Sequence, residues 1–395
     1  MSPLPLVALL ALSISVAGCS AEPSATTKPG PYDELERQGL AMYLDADDAV
    51  VESQEASVTT WTWPVDPDGN SPACFHGEQY RVSTRDAASD NLIVFLQGGG
   101  ACWSELCIAL SRARAGIPKL DVLDSELSIN PVRSWNVVYL PYCDASLFIG
   151  DARFNKPDGS VDRDHRGLRN LSAALTVAKA RYPKPKRILL AGSSGGGFGT
   201  IFGLPLATMI WPEAEIMVMN DSGVGVAKPD QPAFLATLVK EFNVGRFMPK
   251  SCPKCATSSH LTELIGWTLQ QDDRVRMAAF SATRDFVIST LFLKLDGAVF
   301  EKALRGEVKV LQSRFAGRYA AFLTPGTTHT TLLGDVSGFV TPAEEGEDSG
   351  GIDLSALASF LGGMRTTKTG DVAFKDWFKA FIDGADGWVP VAPAE

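Results

Sequence analysis

The chain has 395 residues, of which 45% are hydrophobic and 21% charged, so it can bury a large core in one or two domains. These values exclude disorder and a coiled coil as its main state. The formal net charge of −10 argues against nucleic acid or an anionic membrane surface as a partner, because both bind basic surfaces, and it disfavours a strongly polyanionic substrate.

The N-terminal residues indicate a targeting segment. An apolar run from Leu4 to Val16 is too short to span a bilayer and is followed by small residues before Cys19. This pattern resembles a bacterial lipoprotein signal over residues 1–19, which leaves Cys19 as a lipidated first residue; an ordinary signal peptide is the alternative. We therefore expect an exported protein, anchored by lipid to a bacterial cell membrane, on its periplasmic or cell-surface side. Residues 20–35 predict a flexible tether before a folded domain at 36–395.

Short apolar runs alternate with helical patterns along the rest of the chain. The predicted strands cover residues 61–63, 78–84, 91–97, 135–140, 187–191, 215–219, 274–282 and 318–323. The predicted helices cover residues 166–182, 198–210, 234–242, 261–270, 297–315, 354–361 and 372–382. This alternation is typical of an α/β fold with a mostly parallel central sheet and helices on both faces. The two helices within residues 225–273 predict a cap insertion, and no transmembrane helix is expected.

A glycine-rich turn connects the strand at 187–191 to the apolar segment that begins at Phe198. Within it, Gly192, Ser194 and Gly196 fit G-x-S-x-G, the nucleophile elbow, in which a strained strand-to-helix turn exposes a serine hydroxyl. An ordinary Gly/Ser-rich turn is the alternative. The strand before the motif and the helix after it favour the elbow, so Ser194 is the predicted nucleophile.

Three glycines, Gly98 to Gly100, close the strand at 91–97. A triple glycine upstream of an elbow matches the HGGG-type loop, which supplies a backbone N–H to an oxyanion hole, although Gln97 stands here in place of the histidine. A flexible turn is the alternative. Three glycines cost backbone entropy that an ordinary turn does not require, which favours the functional interpretation.

An activated serine requires a histidine base. Of the four histidines, His76 and His165 precede the elbow, whereas an α/β-hydrolase places its acid and then its histidine after the serine. His329 directly follows the last predicted strand of the sheet. It is favoured over His260, which lies in the suspected insertion without a strand before it.

The base in turn requires an acid to orient it. Asp221 and Asp285 both follow predicted strands, and their spacing barely separates them. Asp285 is slightly favoured because its strand is adjacent in sequence to the strand before His329. For either aspartate, a solvated loop position or a helix cap is the alternative.

Six cysteines remain when Cys19 is set aside, an even number that is compatible with disulfides in an oxidising compartment. They are Cys74, Cys102, Cys107, Cys143, Cys252 and Cys255. Their pairing does not follow from the sequence. Cys252 and Cys255, with His260 nearby, could form half of a zinc site, but no second pair of ligands stands at zinc-like spacing. A local disulfide is therefore favoured, and no metal site is predicted.

Several segments together resemble the pectin acetylesterase/Notum family. The matching stretches are Gly98 to Cys102, Tyr142 to Asp144 with Gly150-Asp151, Arg166-Gly167, Gly192 to Gly196, Asp221 to Gly223, Asp285 and His329. The resemblance implies an α/β-hydrolase-like fold and a carboxylester hydrolase that requires neither metal nor cofactor.

By position, the resemblance implies Ser194 as nucleophile, Asp285 as acid and His329 as base. It also implies oxyanion N–H donors on Gly100, Ala101 and Gly195. We expect a monomer that removes acetyl groups from an acetylated polysaccharide. Two alternatives are a deacylase of longer acyl esters on lipid or protein, and a catalytically inactive surface lipoprotein that binds glycans.

The chain departs from the family pattern in ways that bear on acyl-pocket shape and disulfide pattern more than on the chemistry. Ala101 stands where an aromatic residue is usual, with Trp103 two positions later, and Ala145 stands where glycine is usual. Threonines flank His329, where the family often has a cysteine nearby. Side chains near the acid are candidates for an acyl pocket, although their spacing is also typical of core. They are Phe280, Phe286, Leu291 and Phe292.

Overall fold

A computed structural model describes residues 30–46, 49–66, 69–334 and 358–394. The predicted signal peptide, Cys19 and most of the tether lie outside these residues, as do residues 354–357 of the helix predicted at 354–361. The end of the tether was predicted wrongly, because residues 33–35 belong to a short helix that buries Leu35. Pro31–Glu395 forms a compact unit.

The elements are numbered in chain order. The strands are β1 (Val50–Glu55), β2 (Val58–Thr62), β3 (Arg81–Arg85), β4 (Asn91–Leu96), β5 (Gly100–Trp103), β6 (Leu106–Ala109), β7 (Asn136–Leu140), β8 (Ala152–Asn155), β9 (Val161–His165), β10 (Arg187–Ser193), β11 (Glu215–Asp221), β12 (Arg276–Ala282), β13 (Tyr319–Thr324), β14 (Lys368–Thr369) and β15 (Val372–Ala373). The helices are α1 (Asp33–Arg37), α2 (Gly167–Arg181), α3 (Gly195–Ile210), α4 (Pro232–Glu241), α5 (Pro253–Thr257), α6 (Thr262–Gln271), α7 (Gly297–Arg314) and α8 (Phe374–Asp383).

The central sheet of the described chain has nine strands in the order β1-β2-β3-β7-β4-β10-β11-β12-β13. The first four strands in this order pair antiparallel, and the pairs from β7 to β13 are parallel. The carboxyl ends of the parallel strands therefore meet at one edge, where the loops after β4, β10, β11, β12 and β13 begin. The predicted α/β class with a mostly parallel central sheet is confirmed.

Both faces of the parallel strands are buried, which explains their nearly continuous apolar sequences. On β4, Leu92, Val94 and Leu96 join a core on one face, whereas Ile93 and Phe95 join a second core on the other. Helices α2, α3, α6 and α7 contribute to the first core, and α8 contributes to the second.

Helix α8 covers its face with an aromatic stripe at helical spacing. The stripe consists of Phe374, Trp377, Phe378 and Phe381, all buried. Phe280, one of the candidates for an acyl pocket, packs against Phe322 and Phe374 in this core. That candidate is therefore wrong, because the ring is fully buried beneath the helix.

The segment between β11 and β12 contains α4, α5 and α6. Helices α4 and α6 correspond to the two helices predicted within residues 225–273, whereas α5 was not predicted. Helix α6 packs beside α3 and α7 on one face of the sheet. The description of the whole segment as a cap stays a prediction. No helix among the described residues combines the length and apolar character needed to cross a membrane.

Three disulfides join the six cysteines of the described chain. They are Cys74–Cys143, Cys102–Cys107 and Cys252–Cys255. The predicted local disulfide at Cys252 is confirmed, so those two sulfurs do not form half of a zinc site. The described residues contain no group of three or more His, Cys, Asp or Glu side chains placed to hold a metal ion. Disulfides are typical of exported proteins.

His165, at the end of β9, is buried among three aromatic rings. Its ring centroid lies 5.0 Å from that of Phe242, 5.4 Å from Phe75 and 6.0 Å from Phe154. Its Nδ1 lies 3.2 Å from the carbonyl oxygen of Asp144, and burial lowers the pKa of the imidazole to about 4. The sequence placed this histidine outside the active site, in a structural or peripheral role.

We expect removal of Cys74–Cys143 to destabilise the fold more than removal of Cys252–Cys255. The first disulfide joins residues 69 apart and the second joins residues 3 apart. Chain entropy in the unfolded state then gives losses of about 4 and about 2 kcal/mol, respectively. Urea unfolding of the two double Cys→Ala variants measures both values. A larger loss for the Cys252/Cys255 variant would contradict this ordering.

We expect His165 to weaken the fold as the pH falls. The unfolded chain binds a proton near the ordinary histidine pKa, whereas the folded protein keeps this imidazole neutral until about pH 4. The loss from this group between pH 7 and pH 5 is about 2 kcal/mol. Urea unfolding at both pH values should show a smaller decrease for His165→Phe than for the wild type. The exposed His76 provides a control, His76→Gln, and parallel pH dependence of wild type and His165→Phe would refute the assignment.

Candidate active site

The predicted nucleophile lies in a sharp turn between β10 and α3. Ser194 has φ 56° and ψ −121°, a left-handed conformation that non-glycine residues rarely adopt. Its amide donates to the carbonyl oxygen of Asp221 at 2.7 Å, and its own carbonyl accepts from the Phe198 amide at 3.1 Å. A Cβ on Gly196 would lie 2.0 Å from the Leu96 carbonyl oxygen, which explains why the motif needs glycine there. The local geometry is that of an elbow.

The glycine loop after β4 packs directly on this turn. A Cβ on Gly98 would lie 2.8 Å from the Ser194 Cβ, so only glycine permits this approach. A Cβ on Gly195 would lie 3.1 Å from the Gly100 carbonyl oxygen. The backbones of the predicted oxyanion residues Gly100 and Gly195 therefore lie side by side next to Ser194. Ala101 follows in β5, opposite Ile108 of β6.

Gln97 and Tyr142 hold the glycine loop in place. Gln97 Oε1, at the position of the histidine in an HGGG-type loop, accepts from the Tyr142 amide at 3.0 Å. The Tyr142 hydroxyl donates to the Gly100 carbonyl at 2.7 Å and accepts from the Leu147 amide at 3.0 Å. Sequence reasoning quoted Tyr142 only as part of a motif and missed this role, since the hydroxyl acts across 42 residues of chain.

The backbone of the loop after Tyr142 is strained at three residues. The residues with left-handed φ are Ala145 (56°), Leu147 (61°) and Phe148 (62°). Asp144 Oδ2 stabilises the loop by accepting from the Ser146 amide at 2.9 Å, the Ser146 hydroxyl at 2.6 Å and the Phe148 amide at 3.2 Å. The family's glycine, replaced here by Ala145, thus corresponds to a backbone position that favours glycine.

The predicted acid and base form a buried pair. His329 Nδ1 lies 2.9 Å and 3.0 Å from the two carboxylate oxygens of Asp285, and both side chains are almost fully buried. One carboxylate oxygen also accepts from the Ile288 amide at 3.0 Å. With the proton on Nδ1 donated to Asp285, Nε2 keeps a lone pair that can accept a proton.

Asp221, the alternative acid, has other partners. Its carboxylate accepts from the Ser193 hydroxyl at 2.7 Å and from the Thr331 and Leu332 amides at 3.0 Å. The next residue, Ser222, donates its hydroxyl to the carbonyl oxygen of His329. Asp221 thus contacts the loop of His329 but does not hydrogen-bond its ring. His260, the alternative base, accepts from the Ala227 amide instead, at 3.0 Å.

Aromatic side chains surround the hairpin that carries Ala101. Trp103 packs edge-on against Phe234, with ring centroids 5.9 Å apart, and lies 6.4 Å from Phe292. Phe286 instead stacks on Phe360 at 4.5 Å. Phe292 is therefore the aromatic acyl-pocket candidate that lies next to Trp103.

Comparison with known proteins identifies relatives of this chain. Residues 67–263 match the family model described as pectinacetylesterase, a segment that includes Ser194 and the glycine loop and ends before Asp285. Pectin acetylesterase 11 of Arabidopsis thaliana is 26% identical over 243 residues. That alignment covers 54% of this chain and 58% of the plant protein, a little over half of its length. The matched segment and the plant relative together show that residues 67–263 of this α/β protein carry a pectinacetylesterase-family domain.

Proposed function

We propose that the protein is a serine carboxylester hydrolase in which Ser194 is the nucleophile, His329 the base and Asp285 the acid. The buried hydrogen bond between His329 Nδ1 and Asp285 carries this proposal, because it leaves Nε2 as the proton acceptor. Family membership supports the same class of activity. The strained turn at Ser194 supports the choice of this serine, since such turns expose the hydroxyl at the edge of the sheet.

In the proposed mechanism, His329 Nε2 takes the proton of the Ser194 hydroxyl as its oxygen attacks the ester carbonyl carbon. Asp285 stabilises the imidazolium that forms. The imidazolium then protonates the departing alcohol, and water, activated in the same way, releases the acyl group from Ser194.

Backbone amides of Gly100, Ala101 and Gly195 are the proposed donors to the oxyanion. Gly195 is the first residue of α3, so the helix dipole also favours negative charge at this point. Each well-aimed donor contributes about 3 kcal/mol to transition-state stabilisation. The hydrogen bond from Tyr142 to the Gly100 carbonyl supports this assignment, because it orients the peptide that carries the Ala101 amide.

For the substrate we propose an acetyl ester on a polysaccharide. The plant relative is named as a pectin acetylesterase. A Cβ on Gly195 would lie 3.5 Å from both Leu147 and Tyr142, so these side chains cover the backbone beside Ser194 and favour a short acyl group. The net charge of −10 favours a neutral polysaccharide over a polyanionic one. Export with a lipid anchor on Cys19 is part of the same proposal, and the disulfides support export.

We expect Ser194→Ala to lower kcat/KM for p-nitrophenyl acetate on the order of 10⁴-fold or more, because the attacking oxygen is lost. The wild type should react with a fluorophosphonate probe, and this variant should not, while its circular dichroism is unchanged. Ser193→Ala is the matched control and should still react with the probe. Loss of labelling in Ser193→Ala, with Ser194→Ala active, would show that the elbow register is wrong. A wild type that is never labelled would favour the glycan-binding alternative.

We expect acetate to be the preferred acyl group. In a series of p-nitrophenyl esters from acetate to decanoate, kcat/KM should fall with chain length, because Leu147 restricts the space beside Gly195. Leu147→Ala should shift the preference towards longer chains, and acetate release from an acetylated polysaccharide tests the natural substrate class. Rates that rise towards decanoate in the wild type would instead favour a deacylase of longer acyl esters.

A further inference from the structure

Asp221 lies between the two halves of the candidate site. It is the last residue of β11, the strand between β10, which leads to Ser194, and β12, which leads to Asp285. The residue is fully buried, and its carbonyl oxygen accepts the Ser194 amide at 2.7 Å. One residue therefore contacts the backbone of the predicted nucleophile and, as described above, the loop of the predicted base.

Among the described residues, the hydrogen-bond partners of the Asp221 carboxylate are all donors. They are the Ser193 hydroxyl and the amides of Thr331 and Leu332, at 2.7 to 3.2 Å. An ionised carboxylate has only acceptor sites and can satisfy all three donors. An asparagine amide of the same size would bring N–H donors against them and leave buried groups unpaired. The arrangement thus requires an aspartate, not merely a polar side chain.

Hydrogen bonds from Asp221 and from its neighbour Ser222 reach the loop of His329 by two routes. Thr331 and Leu332 lie two and three residues after His329, and their amides bind Asp221 directly. Ser222, held in a left-handed conformation with φ 64°, donates to the His329 carbonyl oxygen, and its amide donates to Phe280 at 2.9 Å. Asp221 and Ser222 therefore fix the backbone that directly follows the imidazole, from the His329 carbonyl to the Leu332 amide.

We infer that Asp221 is a positioning residue that holds the loop of His329 at a set distance from Ser194. This inference rests on the proposed function. Proton transfer needs the serine oxygen and the imidazole in near-attack geometry, and a displacement of about 1 Å costs roughly 100-fold in rate. Asp285 orients the imidazole ring, whereas Asp221 sets the position of the backbone that carries it.

The cost of burying this carboxylate agrees with a specific role. Burial raises the pKa of Asp221 to about 6, against the opposing effect of its hydrogen bonds and of nearby His329. A carboxylate in such surroundings reduces the stability of the fold at neutral pH compared with an apolar side chain.

The test is Asp221→Asn, measured per active site. We expect kcat for p-nitrophenyl acetate to fall about 100-fold while KM changes by less than about threefold, since the positioning is needed in the transition state. The rate of fluorophosphonate labelling should fall in parallel. Ser193→Ala, which removes a single donor, should lower kcat by roughly threefold to tenfold. In the double variant the two effects should not multiply, because both changes disrupt the same link.

Asp164→Asn is the matched control for generic loss of a buried carboxylate. Asp164, on β9, is as buried as Asp221. It pairs with Arg153 on β8 and with Arg166 in the turn before α2. It should lower the melting temperature yet leave kcat per active site within about twofold. Equal losses of kcat in the two variants would overturn the inference.

Failure of the inference is distinguishable from failure of the proposed function. A wild type without esterase activity or labelling refutes the proposed function itself. An active wild type together with a folded Asp221→Asn variant of unchanged kcat refutes the inference alone. If Asp221→Asn does not fold, Ser193→Ala alone provides the test, because it keeps the carboxylate and removes one of its hydrogen bonds. An unchanged kcat in Ser193→Ala would overturn the inference.

Discussion

The register of the parallel strands determines where every part of the candidate site lies. Ser193 on β10 is opposite Asp221 on β11, which is opposite Phe280 on β12, so the loops after these strands begin at one edge of the sheet. A shift of one residue would turn each side chain to the other face. Because both faces carry hydrophobic cores, such a shift would disrupt the packing on both sides. The contacts that stabilise the domain therefore also fix the spacing of Ser194, Asp285 and His329.

Backbone strain is concentrated beside this edge and is compensated there by specific hydrogen bonds. Left-handed backbone conformations occur at Ser194, at Ser222 and at three residues of the loop from Ala145 to Phe148. In a non-glycine residue, each such conformation costs about 1 to 3 kcal/mol. The amide of Ser194 binds the Asp221 carbonyl, and the loop after Tyr142 is held by the Asp144 carboxylate and the Tyr142 hydroxyl. Strain that the surroundings maintain in this way holds the half-buried Ser194 in one conformation, which is consistent with its proposed role as nucleophile.

Sequence reasoning predicted the parallel core well because its strands are continuous apolar runs followed by glycine or polar residues. It missed the hairpins β5–β6 and β8–β9, since these are short, and β8 alternates between partly and fully exposed positions without a strong apolar pattern. It could not separate Asp221 from Asp285 by spacing, because both follow parallel strands at the same edge. The distinction depends on the path of the loop after β13, which brings the His329 ring to Asp285 and the amides of the two residues after Thr330 to Asp221. Such contacts span more than 40 residues and leave no local pattern.

Two buried carboxylates, Asp144 and Asp221, stand on opposite sides of Ser194 and have comparable surroundings. Burial raises the pKa of each to about 6, so each lowers the stability of the fold once it ionises, a cost that is absent when both are protonated. Each accepts several hydrogen bonds from an irregular loop: Asp144 from the loop that covers Gly195, and Asp221 from the loop that carries His329. Loops are less exact supports for reacting groups than strands or helices. A carboxylate with several acceptor sites makes each loop a rigid support. The burial that this requires lowers the stability of the fold at neutral pH, at the place where the proposed chemistry needs precise positions.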